Sequence, residues 1–60
     1  MYDCFDSNGI RLYVGATVMC VANGSENEGQ VIKLKANNKV DIIGETGIVT
    51  VQGEDCFLLP

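Results

Sequence analysis

Seven glycines divide the chain into short runs and leave no room for a long helix. They are Gly9, Gly15, Gly24, Gly29, Gly44, Gly47 and Gly53. The segments between them are rich in Val, Ile, Leu and Thr, which favour extended strands. A helix would have to cross a glycine, which costs about 1 kcal/mol relative to alanine. The sequence therefore predicts an all-β fold, with at most one helical turn near the C-terminus.

The length of 60 residues allows one small domain, which we expect to span residues 1–60. Apolar residues make up 47% and charged residues 20% of the chain, as in folded globular proteins. No apolar run approaches the roughly 18 residues of a membrane span, and the chain opens without a charged-then-apolar leader. We therefore expect no membrane association and no secretion.

Turn-forming residues predict where the strands lie. In the segment Asp6-Ser7-Asn8-Gly9, Asn and Gly tolerate a positive φ, and Asp can close an Asx-turn. The polar segment 23–29 reads as an exposed loop, and 44–47 as the turn of a hairpin. The expected strands cover 16–22, 30–36, 39–43 and 48–52, followed by a short closing element at 56–59.

Side-chain parity predicts the register of the hairpin around 44–47, because a slip of one residue turns every side chain over. The expected partners are Ile43 with Ile48, Ile42 with Val49, and Val40 with Val51. The last two pairs then share an inner face. Ile43 and Ile48 lie on the outer face with the polar residues.

The preceding hairpin has two candidate loops. A two-residue loop at 37–38 places Leu34 opposite Asp41, which mixes core with solvent. A three-residue loop at 37–39 is preferred, because it allows Asn a left-handed conformation. It pairs Leu34 with Ile42 and Ala36 with Val40. It also turns Val31 away from the core, unless a bulge near Gly29 corrects the direction.

Five short antiparallel strands in so short a chain hide their apolar side chains best by curling into a roll, which also removes exposed edges. We therefore predict a small, five-stranded, partly open barrel of the SH3-like class. Such a barrel is filled by its own side chains and leaves no pocket for acid–base chemistry, so we expect no enzymatic activity.

The entry to the first strand resembles SH3-like bacterial domains, among them the C-terminal domain of PhnA-type proteins. The matching residues of the pattern D-x-x-G-x-x-L-x-x-G-x-x-V are Asp6, Gly9, Leu12, Gly15 and Val18. Val49, Val51 and Phe57-Leu58 resemble the closing strands of that family, and 24–31 is similar to the KOW motif. The resemblance implies an SH3-like fold, with no catalytic residue to carry over.

The three cysteines, Cys4, Cys20 and Cys56, are widely spaced and include no C-x-x-C pair. We interpret them as free thiols that pack as small core hydrophobes. The alternatives are one disulfide with a leftover thiol, or a three-thiolate metal site. With no histidine in the chain, a thiol lacks the usual base to activate it. Free, unclustered cysteines favour a reducing compartment, so we expect a cytoplasmic protein with no cofactor.

Exposed apolar side chains are the candidates for recognition of another protein, either a second copy or an unknown partner. Tyr13, Val31, Ile43 and Ile48 form the predicted interaction surface. The competing interpretation is that a neighbouring loop or the segment 1–5 covers the two isoleucines.

Charged residues suggest two further surfaces. Lys33, Lys35 and Lys39 can form a basic patch, which would make the chain a KOW-like nucleic-acid module. The net charge of −4 opposes that reading, since it repels a polyanion. The acidic loop residues either form a rim that meets a basic partner or keep a small domain soluble. These are Glu26, Glu28, Glu45, Glu54 and Asp55.

Overall fold

The structure, a computed structural model, describes residues 2–22 and 24–60. Its strands are β1 (Thr17–Ala22), β2 (Ser25–Lys35), β3 (Lys39–Gly44), β4 (Gly47–Gln52) and β5 (Cys56–Leu58). A 3₁₀ turn over Gly53–Asp55 precedes β5. The strands form one antiparallel sheet in the order β4-β3-β2-β1-β5. The prediction of an all-β fold is confirmed, with a single helical turn near the C-terminus of the described chain.

The sheet does not close into a complete roll. Among the described strands, β4 pairs only with β3, and β5 pairs only with β1. The two ends of the ladder therefore remain edges, so the expected removal of all edges does not occur. The inner face of β3 is well buried, whereas the inner face of β4 is partly open to solvent.

The register predicted for the β3–β4 hairpin is confirmed. Ile43 lies opposite Ile48, Ile42 opposite Val49, and Val40 opposite Val51. Each strand extends one residue closer to the turn than expected, because Gly44 pairs with Gly47. The positive φ of 108° at Gly47 suits the glycine there.

The preferred register of the β2–β3 hairpin is wrong. The loop has three residues, but it covers 36–38 rather than 37–39, so Lys35 pairs with Lys39 and Leu34 with Val40. Asn37 and Asn38 both take left-handed φ values, of 63° and 59°, which asparagine tolerates better than most residues. The consecutive asparagines let the chain reverse one residue earlier.

The bulge in β2 also lies further along than expected. The register shifts between Val31 and Lys33, not near Gly29. The extra residue, Ile32, is half exposed, while Val31 on one side and Leu34 on the other both face the core. A bulge bends its strand, so this one curves the sheet around its apolar face.

The predicted loop at 23–29 is mostly strand. Residues 25–29 belong to the first half of β2 and pair with β1, from Ala22 opposite Ser25 to Val18 opposite Gly29. Residue 23 lies outside the described residues. Among the described strands, this half of β2 pairs with β1 alone, and its side chains are exposed, so polar residues are accommodated there without a burial cost.

The core lies on the concave face of the sheet. Nine apolar residues are buried there: Cys4, Leu12, Ala16, Val18, Cys20, Val31, Val40, Ile42 and Cys56. Leu12 and Ala16 come from the segment before β1, where backbone hydrogen bonds join Leu12 to Cys4 of the same segment and Ala16 to Val31 of β2. The Leu12 N–H donates to the Cys4 carbonyl at 2.7 Å, and the Val31 N–H donates to the Ala16 carbonyl at 2.9 Å.

The N-terminal segment is fixed to the sheet at the end where the 36–38 loop lies. The Phe5 N–H donates to Asn38 Oδ1 at 2.7 Å, and Asn38 Nδ2 donates to the Phe5 carbonyl at 3.1 Å. The Gly53 N–H donates to the Asn38 carbonyl at 2.7 Å. A Cβ at Gly53 would clash with the Phe5 carbonyl, so only glycine fits this junction.

Asp6 connects the N-terminal segment to β5. Its Oδ1 accepts from the N–H groups of Asn8 at 2.9 Å and Ile10 at 2.8 Å, which confirms the predicted Asx-turn. Its Oδ2 accepts from the Leu58 N–H at 2.9 Å. Burial raises the pKa of Asp6, but the three backbone N–H donors outweigh it and hold the pKa below 3.8.

Candidate interaction surface

Ile43 and Ile48 form an exposed apolar pair on the outer face of the β3–β4 hairpin. They lie directly opposite each other, and their exposed fractions are 44% and 61%. The turn at 45–46 ends the hairpin beside them, and none of the described strands pairs with the other side of β4. The structure thus exposes two of the residues predicted for the interaction surface.

The segment before β1 does not cover this pair. Cys4 Sγ lies 3.4 Å from the carbonyl oxygens of Lys35 and Lys39, and Phe5 bonds to Asn38, as described above. These contacts hold the described part of the segment against the opposite end of β3. The interpretation that residues 2–5 cover the isoleucines is therefore wrong.

Of the other two predicted surface residues, one is buried and one lies outside the hairpin. Val31 is wrong as a surface residue, because it is only 1% exposed and belongs to the core. The bulge after it reverses the expected parity and turns its side chain inward. Tyr13 is exposed, but it lies in the segment before β1 and outside the β3–β4 hairpin.

The three lysines share the outer face of the sheet, but one of them is neutralised. Lys35 Nζ lies 3.1 Å from Asp41 Oδ1, and Thr50 Oγ1 donates to the same oxygen at 2.6 Å. The Thr50 hydrogen bond, followed by that of Lys35, holds the pKa of Asp41 below its usual value. Lys33 lies opposite Asp41 and Lys39 opposite Lys35, so an acidic residue interrupts the basic patch.

A groove opens between the β3–β4 hairpin and the hairpin formed by β1 and β2. Its volume is about 690 Å³. Ile42, Val49 and Val51 supply apolar side chains from the concave side of β3 and β4. Val49 is 49% exposed although its partner Ile42 is only 4% exposed. The inner face of β4 is thus open to the groove at Val49.

The rim of the groove is acidic. Glu26 and Glu28 line it from β2, and Glu45 lines it from the turn before β4. No lysine or arginine is among its described lining residues. The sequence suggested acidic loops but not this apolar groove between them. The sequence places glutamates in both of these regions, but it does not show that the two hairpins face each other across a groove.

The cysteine interpretation is wrong for two of the three residues. Cys20 and Cys56 form a disulfide between β1 and β5, and Cys4 is free and buried. The pairing of β1 with β5 places the two cysteines directly opposite each other, although they are 36 residues apart in sequence. The expectation of a reducing compartment loses its support, since it rested on free thiols.

Comparisons with protein-family models, curated proteins and solved structures find no match to this chain. The part of the chain that the structure describes contains no helix that could cross a membrane. Within residues 2–22 and 24–60, no group of three or more Cys, Asp or Glu residues is arranged to hold a metal ion.

Proposed function

We propose that this chain is an SH3-like, partly open barrel that acts as a non-enzymatic protein-interaction module. The five-stranded antiparallel sheet, bent by the bulge in β2 around one small core, supports the barrel assignment. The exposed apolar residues of the β3–β4 hairpin support the interaction role. We call these three residues, Ile43, Ile48 and Val49, the hairpin surface.

The observation that carries the proposal is that β4 exposes apolar side chains on both of its faces. Ile48 is 61% exposed on the outer face and Val49 is 49% exposed on the inner face. Exposing adjacent large apolar side chains costs free energy, which a binding partner that buries them would recover. Single exposed apolar residues are common, but here two consecutive ones, Ile48 and Val49, lie on opposite faces of one edge strand.

Selection from a displayed library of random peptides tests the proposal. We expect selected peptides to bind the wild-type protein and to lose binding to the double variant Ile48→Thr/Val49→Thr. The control is Ile10→Thr, since Ile10 is also exposed but lies before β1. Thermal unfolding of each variant verifies that it folds. Failure to enrich any peptide, or equal binding to the double variant, would contradict the proposal.

Association of two copies is one form that this interaction can take. Sedimentation equilibrium of the wild type and of Ile43→Asp measures it directly. A dimer that is lost in Ile43→Asp would place a second copy on the outer face of the hairpin. A monomer at every concentration would contradict self-association but not binding of a different partner.

Nucleic-acid binding is the alternative function, and the charges on the outer face disfavour it. Asp41 pairs with Lys35 at the centre of the basic patch, and the chain carries a net charge of −4. A nucleic-acid surface needs several unneutralised cations. Salt-sensitive binding of labelled RNA or DNA that is lost in Lys33→Gln/Lys35→Gln/Lys39→Gln would establish the alternative.

A further inference from the structure

We propose that the groove beside β4 binds an extended, basic segment of a partner protein, which adds to the sheet as a sixth strand. This inference rests on the proposed function and names the ligand of its binding surface. Three observations carry it: an unprotected strand edge, an apolar groove along that edge, and an acidic rim.

The unprotected edge belongs to β4. Its six residues pair with β3 on one side only. In an antiparallel ladder, alternate residues of an edge strand direct their N–H and C=O groups away from the neighbouring strand. Natural edges are usually blocked by lysine, proline or another charged residue, and β4 contains none of these. The strand is therefore suited to pair with an extended peptide.

The opposite edge strand of the sheet, β5, is protected by hydrogen bonds to the N-terminal segment. The Ser7 N–H donates to the Cys56 carbonyl of β5 at 2.8 Å, and the Leu58 N–H donates to the Asp6 carboxylate at 2.9 Å. The N-terminal segment thus satisfies backbone groups of β5. In the described part of the chain, no segment does the same for β4 outside the β3–β4 ladder.

The groove provides a place for the side chains of an added strand. Side chains alternate between the two faces of a strand, so every second residue of the ligand would point into the groove. There it would contact Val49, which is half exposed, and the apolar side chains of Ile42 and Val51. The ligand therefore needs apolar residues at alternate positions.

The acidic rim favours a ligand that carries positive charge. Glu26, Glu28 and Glu45 line the groove, and no cationic residue is among its described lining residues. Lysine or arginine residues that alternate with apolar ones would meet this rim with favourable charge. A second copy of the chain would bring a further net charge of −4 to the same place. The charges thus favour a basic partner over self-association in the groove.

Fluorescence anisotropy at low salt, with synthetic peptides as probes, tests the inference. The first probe alternates Lys with Val, the second alternates Glu with Val, and the third alternates Lys with Ser. A fourth keeps the Lys–Val pattern but is N-methylated at alternate residues, which removes backbone donors without changing charge. We expect only the first probe to bind, with an affinity that falls as salt is added.

Paired variants assign the binding to the groove. Val49→Thr should weaken binding of the Lys–Val peptide about fivefold, because it replaces a methyl group that the ligand buries. The matched control Val14→Thr, at a more exposed valine in the segment before β1, should leave binding unchanged. Glu26→Gln/Glu28→Gln should weaken binding about fivefold. The control Glu54→Gln/Asp55→Asn removes the same charge away from the groove and should have little effect.

Several results would overturn the inference. Equal binding of the Glu–Val peptide would remove the charge argument, and equal binding of the N-methylated peptide would exclude strand addition. If the protein forms a dimer that competes with the peptide, and Val49→Thr abolishes that dimer, a second copy occupies the groove instead. If selected peptides depend on Ile48 but not on Val49, the proposed interaction function stands and the groove is not its site.

Discussion

Asp6 shows how one residue connects distant parts of this chain. Its two carboxylate oxygens accept backbone hydrogen bonds from the turn at 8–10 and from Leu58, which is 52 positions away in sequence. The side chain is only 5% exposed, yet its charge is compensated by N–H donors rather than by a cation. The carboxylate therefore holds the N-terminal segment against β5.

Replacement of Asp6 should make stability less dependent on pH. Because its pKa in the folded protein lies below 3.8, its contribution is fully present well above that value and is lost as pH falls through the folded pKa. We expect Asp6→Asn to lower the free energy of unfolding by about 2 kcal/mol at neutral pH. The deficit should shrink at acidic pH.

Urea denaturation of Asp6→Asn and wild type, at neutral pH and at acidic pH, measures this difference. The control is Asp3→Asn, since Asp3 is exposed and forms its ion pair with Arg11, which is also exposed. A deficit for Asp6→Asn that is independent of pH would show that the charged form of Asp6 does not stabilise the fold.

At the scale of elements, β1 and β5 form the part of the sheet that local interactions determine least. β5 has only three residues and pairs with β1 across most of the length of the chain. The Cys20–Cys56 disulfide joins the two strands at their last pair. A cross-link over 36 residues restricts the unfolded chain and so stabilises the folded state relative to it.

Reduction of this disulfide should lower the free energy of unfolding by about 4 kcal/mol, from the loss of the loop constraint. Thermal unfolding with and without reductant measures the change, and Cys20→Ala/Cys56→Ala should reproduce the reduced wild type. Cys4→Ala should remain sensitive to reductant, since Cys4 is free. If reductant leaves the melting temperature of the wild type unchanged, the disulfide does not form in solution or does not stabilise the fold.

At the scale of the whole molecule, stability depends on a core of few side chains. A domain of this size buries only about 60% of its unfolded surface. Leu12 is the largest fully buried side chain, and it comes from the segment before β1 rather than from the sheet. Removing it would therefore weaken both the core and the docking of that segment.

We expect Leu12→Ala to cost about 3 kcal/mol of the free energy of unfolding. Chemical denaturation measures the loss, and Ile10→Ala is the control because Ile10 is 47% exposed in the same segment. Similar midpoints for the two variants would contradict the assignment of Leu12 to the core.

The sequence by itself determined the features that depend on neighbouring residues. Glycine spacing predicted strands rather than helices, and alternation predicted the register of the β3–β4 hairpin, because a tight turn leaves few ways to pair the flanking residues. Asp6 was identified as an Asx-turn residue for the same reason. The same parity placed Ile43 and Ile48 on the outer face, and the structure shows that both are exposed there.

Only the tertiary structure decided features that depend on residues far apart in the chain. The bulge at Ile32 turned Val31 inward, since a single extra residue reverses side-chain parity and leaves no distinct sequence signal. The contact between Cys20 and Cys56 arises from the pairing of β1 with β5, and so does their disulfide. The groove beside Val49 exists because two hairpins approach each other without closing, which depends on the curvature of the whole sheet.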